Sequence, residues 1–167
     1  MNRHGRYEMV DGRPALVFER TYAHPVEAVW RAVTRPEELA HWFPARVEVG
    51  ELRPGAPIRF VFDDEQIPPS AGQIVEVDPP RRLILTWEDD ELRFELSSLT
   101  EGCRFTFTNL LSGDYPAASV AAGWHVCLDE LAKLLTGEPA QAPGTVPTPE
   151  HEQLREEYAG RGVPAGA

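Results

Sequence analysis

The side chains able to do chemistry are few and widely spaced. Histidines stand at positions 4, 24, 41, 125 and 151, and the cysteines are Cys103 and Cys127. A bound metal needs several His, Cys or carboxylate ligands that converge, and this spacing brings none together, so no metal is expected. His125 and Cys127 are two apart on a predicted helix and point to different faces, which is a poor geometry for an imidazole–thiolate pair. Both cysteines read as buried, inert thiols, and without a CxxC motif they make no disulfide framework. Phosphate cradles of the GxxxxGK[ST] or GxGxxG type are absent, so no cofactor is expected.

General acid–base groups remain, namely Arg59, Glu76, Arg93, Glu95 and Arg104. Strand alternation puts Arg93 and Glu95 opposite Phe94, and Arg104 opposite Phe105, so these charges should face water and pair across strands. Glu76 follows two apolar residues, Ile74 and Val75, and its face stays open. His41, beside Trp42, reads as a surface histidine at a helix end. His125 neighbours Trp124, and a small rotation of its helix would turn a neutral imidazole toward a ligand.

The elements that must position these groups change period along the chain. Residues 16–22, Leu-Val-Phe-Glu-Arg-Thr-Tyr, are rich in β-formers and read as a first strand. Pro25 suits a first helical turn, and Val26, Val29, Trp30 and Val33 form one apolar stripe. Pro36 opens a second short helix carrying Leu39 and Trp42, and Pro44 ends it. From 45 to 109 the period becomes two, with turns at Pro54-Gly55, Asp78-Pro79-Pro80, Glu88-Asp89-Asp90 and Glu101-Gly102. About six strands in antiparallel succession result. Their apolar face needs a cover, supplied over 116–136 by Val120, Trp124, Cys127, Leu128, Leu131 and Leu135 on one helical stripe, with Gly137 as the stop.

Composition sets outer bounds. The chain has 167 residues, enough for one domain with a tail. Net charge is −11, so a phosphate backbone would be repelled and nucleic-acid binding is not expected. No run approaches the roughly 20 apolar residues of a membrane span. The polar start lacks the apolar core of a secretion signal, which suits a cytoplasmic protein. Residues 1–14 read as a polar N-terminal segment and 15–136 as the folded domain. Residues 137–167, crowded with Pro and Gly, read mostly as a mobile tail. Within it, 150–158 has the spacing of a short helix whose apolar face is only Leu154 and Tyr158.

Several segments resemble the activator of heat-shock-protein-90 ATPase homologue family within the START-like (SRPBCC) superfamily. They are Phe18-Glu19-Arg20-Thr21-Tyr22 with Pro25-Val26-Glu27-Ala28-Val29-Trp30-Arg31-Ala32-Val33-Thr34, then Pro36-Glu37-Glu38-Leu39-Ala40-His41-Trp42-Phe43. Gly123-Trp124 with Leu128-Asp129-Glu130-Leu131-Ala132-Lys133-Leu134-Leu135 closes the series. A glycine-led hairpin, from Gly72 through Val77-Asp78-Pro79-Pro80 to Trp87, lies between them. The resemblance spans about 15–135 and implies an α+β helix-grip fold, a curved antiparallel sheet wrapped on a long C-terminal helix with a ligand cavity between them.

The expected ligand is a small apolar or amphipathic molecule held by aromatic walls. The candidate lining residues are Trp30, Trp42, Phe60, Phe62, Trp87, Phe107, Trp124 and His125. Plain core packing is the competing role for each aromatic residue. Two other functions stay open. One is an enzyme using the same cavity, polyketide cyclase-like or hydrolytic, which would need a buried titratable group. The other is a chaperone-binding module, as the family name implies. A homodimer through an open sheet edge is also left open.

Overall fold

The computed structural model describes residues 3–113, 116–144 and 148–164. Among these, the chain runs β1 (Arg6–Val10), β2 (Arg13–Tyr22), α1 (Val26–Thr34), α2 (Pro36–Leu39), β3 (Arg46–Val49), β4 (Pro57–Val61), β5 (Ser70–Asp78), β6 (Arg82–Trp87), β7 (Asp90–Leu99), β8 (Gly102–Leu110), α3 (Ala117–Leu135) and α4 (Pro149–Gly160). The strands form one antiparallel sheet in the order β1-β2-β8-β7-β6-β5-β4-β3. The six strands expected after α2 are present. So are both short helices and the long covering helix.

The core forms because inward residues line up across neighbouring strands. Leu83, Phe94, Phe107 and Phe18 make one rung over β6, β7, β8 and β2, and all four are buried. Ring centroids are 5.3 Å apart for Phe94–Phe107 and 6.4 Å for Phe18–Phe107. Burial of each such side chain is worth about 1.5–3 kcal/mol. Helix α3 lies over this face, with Trp124 packed on Phe107 at 4.5 Å, and Ala117, Ala118, Ala121 and Ala122 in its first turns are buried. Charges occupy the other face. Arg93 pairs there with Glu91 at 2.6 Å and Asp11 at 2.7 Å, and Arg82 lies 3.2 Å from Glu76 and 3.8 Å from Glu95. Glu76 thus joins the charged face: a register shift between Ile74 and Glu76 buries Ile74 and exposes Val75.

Two sequence readings are corrected. The sheet does not start at residue 16. Arg6–Val10 forms an edge strand, because Asp11 and Gly12 both take positive φ (50° and 80°) and close a two-residue hairpin onto β2. The stretch after Gly137 is not mostly mobile, and the short helix read over 150–158 is present. Helix α4, of 12 residues, packs on α3 and buries Tyr158 completely. The tail residues 145–147 and 165–167 lie outside the described residues. No helix among the described residues is long and apolar enough to cross a membrane.

Gly72 marks where β5 passes closest to its neighbours. A Cβ there would sit 1.9 Å from the Thr86 carbonyl oxygen and 3.1 Å from the Phe60 ring. Gly72→Ala should therefore lower stability by about 1–3 kcal/mol, measured by urea unfolding. A midpoint equal to that of the unsubstituted protein would contradict this close approach.

Candidate functional site

The concave sheet and α3 diverge near β6, and aromatic rings fill the wedge. Phe43, just after α2, is the hub. Its centroid lies 5.6 Å from Trp42, 6.2 Å from Phe60, 5.5 Å from Trp87 and 5.4 Å from Trp124. Trp87 stacks on Phe60 at 4.3 Å and meets Phe62 at 6.1 Å, while Trp124 packs on Phe107 at 4.5 Å. Of the eight residues singled out by sequence, Phe60, Phe62, Trp87, Phe107 and Trp124 thus belong to one cluster. Trp42 joins it from behind, fully buried, its indole N–H donating to the Ala32 carbonyl at 2.9 Å.

The other two lie apart. Trp30 is half-buried on α1, outside the ring cluster. His125 sits on the α4 side of α3. Its Nδ1 is 2.8 Å from the Tyr158 hydroxyl, which accepts the Gly5 N–H, also at 2.8 Å. With Nδ1 assigned as the acceptor from Tyr158, the imidazole proton is on Nε2, 3.8 Å from Asp129.

A chain of hydrogen bonds fixes Trp124. Its indole N–H donates to Asn109 Oδ1 at 3.0 Å, and Asn109 Nδ2 donates to Asp90 Oδ2 at 3.0 Å. The Ser112 backbone N–H donates to Asp90 Oδ1, again at 3.0 Å. The tight turn through Glu88, at φ 52°, sets Asp90 directly opposite Trp87. Asn109, Asp90 and Phe43 were not singled out from the sequence. An asparagine between Thr108 and Leu110 at the end of an apolar strand was the available signal for the first.

Open space lies at the rim of the ring cluster. A groove of about 310 Å³ is bounded by Trp87, Trp124, Asn109, Asp90, Glu88 and Val120. Two further hollows, about 400 and 530 Å³, flank residues 141–144, which run between the Phe62 end of the sheet and α3. Gln141 is held there by its backbone N–H donating to Glu130 Oε1 at 3.1 Å. Among the described residues, no three His, Cys, Asp or Glu side chains gather to hold a metal ion.

A long helix gripped by a curved antiparallel sheet, with aromatic rings at the mouth between them, defines a START-like protein. The chain belongs to the Activator of Hsp90 ATPase homolog 1-like protein family, whose model matches residues 23–136. Solved structures share the fold. CalU16 from Micromonospora echinospora is 24% identical with a TM-score of 0.70, over 93% of this chain and 91% of that one. A conserved protein of unknown function, EF2215 from Enterococcus faecalis, is 22% identical with a TM-score of 0.73, over 94% and 89%. DynU16, of the dynemicin biosynthetic locus, is 26% identical with a TM-score of 0.65, over 76% of this chain and 49% of that one. No match was found among curated proteins.

Two outcomes test this geometry. Asn109→Ala leaves the Trp124 N–H and the Asp90 carboxylate without their partner, and should cost about 1–3 kcal/mol by urea unfolding. His125 is held neutral: burial lowers its pKa to about 4, against the partial opposition of Asp129 and with smaller help from Arg20, His4 and Arg3. The unfolded imidazole titrates near 6.5, so between those values the unfolded chain binds more protons. Stability present above pH 6.5 should fall as pH drops toward 4, by up to about 3 kcal/mol. Urea midpoints measured across that range should slope less steeply in His125→Gln.

Proposed function

We propose that the protein binds a small apolar or amphipathic molecule at the Trp87–Trp124 groove. The observation that carries this reading is the pairing of a fixed aromatic wall with a few polar groups at one mouth. Trp87 and Trp124 supply apolar area, and the hydrogen-bonded chain through Asn109 and Asp90 fixes Trp124 in place. A flat apolar body would lie against one indole with its edge toward the other, the two planes standing at 79°. The acceptor oxygens of Glu88 and Asp90 favour a donor group at its polar end. Likeness to a protein of a natural-product biosynthetic locus is in keeping with a small-molecule ligand.

Native mass spectrometry of protein purified without detergent should show an extra discrete mass that denaturation removes. Indole fluorescence should then report rebinding of the released molecule. Trp124→Ala should weaken that rebinding at least tenfold, whereas Arg93→Ala, on the charged outer face, should leave it unchanged. Equal losses from both substitutions would refute the assignment of the groove.

A further inference from the structure

The inner face of β2 ends in two residues that a core strand does not need. Phe18, Arg20 and Tyr22 alternate inward, and the register sets Arg20 beside Phe105 and Tyr22 beside Cys103. Arg20 is only 6% exposed. Its Nη1 donates to the Glu19 carbonyl at 3.0 Å, and its guanidinium carbon lies 5.8 Å from the Phe18 ring centre. Among the described residues, its Nη2 is buried with no hydrogen-bond partner, and so is the Tyr22 hydroxyl.

Both residues line a pocket of about 510 Å³ between β2 and the C-terminal half of α3. This pocket shares no lining residue with the Trp87–Trp124 groove. The other cations lining it are paired, Arg3 with Asp129 and Lys133 with Glu130 at 2.7 Å. Among the described residues the Arg20 guanidinium makes no such ion pair, and the nearby Asp129, which favours its charge, is itself taken up by Arg3. Burial lowers the Arg20 pKa and raises that of Tyr22, because desolvation disfavours the charged form of each.

We infer that the Arg20–Tyr22 pocket is a second binding site, built for the carboxylate of a small acid with an apolar tail. A planar guanidinium and a phenol two residues apart on one strand face offer donors to one carboxylate. A neutral carbonyl would satisfy the hydrogen bonds but give the guanidinium no direct ion pair, leaving only the more distant Asp129 to favour its charge. A bare inorganic anion fits less well, because Glu138 and Glu150 at the rim repel it. Val126 and Ala132, both half-buried on the α3 wall, can take up an apolar tail, whose burial offsets that repulsion.

The test titrates the full chain, at constant ionic strength and pH 7, with sodium acetate, butyrate, hexanoate and phosphate. Side-chain NMR signals of Arg20 and Tyr22, assigned with Arg20→Lys and Tyr22→Phe, report binding. Saturable shifts of both residues are expected, with hexanoate at least tenfold tighter than acetate. Tyr22→Phe should weaken hexanoate three- to tenfold while melting at the same or a higher temperature, since it removes an unpaired buried hydroxyl. That combination separates a ligand contact from a structural role. Shifts that never saturate, phosphate binding tighter than hexanoate, or unchanged hexanoate affinity in Tyr22→Phe would each overturn the inference.

Discussion

Phe43 stands where the concave sheet, α3 and the short helices meet, and four aromatic rings lean on it. The buried alanines of α3's first turns pack it into the fold, but a helix cannot follow a curved sheet along its whole length. The rings fill the wedge where the two part. Close-packed interiors tolerate few voids, so the open space lies outward, at the rim beside Trp87 and Trp124. The groove, the fixed indole and the polar chain through Asn109 all follow from that one mismatch of curvature.

Helix α3 separates two environments by the angle between successive residues. Trp124 and His125 are adjacent in sequence, yet one meets the sheet's aromatic wedge and the other meets Tyr158 on α4. Nearer its C-terminus, Leu128 and Ala132 wall a third space, whose floor carries a buried charge. Each region is held by a different force: dispersion and burial in the wedge, a short hydrogen-bonded chain around Tyr158, and electrostatics beside Arg20.

Much of the fold was legible because its signals are local and periodic. Alternation of Leu92, Phe94 and Leu96 with Arg93 and Glu95 gave both the strand and its faces. The valines of α1 and the leucines of α3 gave their helices in the same way. The edge strand β1 was harder to read because it has no buried face to advertise, and its residues are almost all exposed. Its signal lay in the turn, Asp11-Gly12. Helix α4 was legible only as a short segment with Leu154 and Tyr158 on its face; that Tyr158 would be fully buried was not. At the site, the large aromatics were visible as residue types. Their grouping was not, because Phe43, Phe60, Trp87 and Trp124 come from distant segments. The polar chain was hidden for the same reason: Asp90 and Asn109 meet only through strand pairing.

The two indoles at the groove also give the protein an optical property. Trp87 and Trp124 lie 6.4 Å apart with their planes at 79°. Transition dipoles so close and so crossed couple, and coupled chromophores in a fixed chiral arrangement absorb left- and right-handed light unequally. In the far ultraviolet, where the strong indole transitions lie, the circular dichroism of the folded chain should therefore carry paired contributions of opposite sign from this corner of the molecule. Anything that wedges the indoles apart would change it, so the mouth of the groove reports on its own shape without a label.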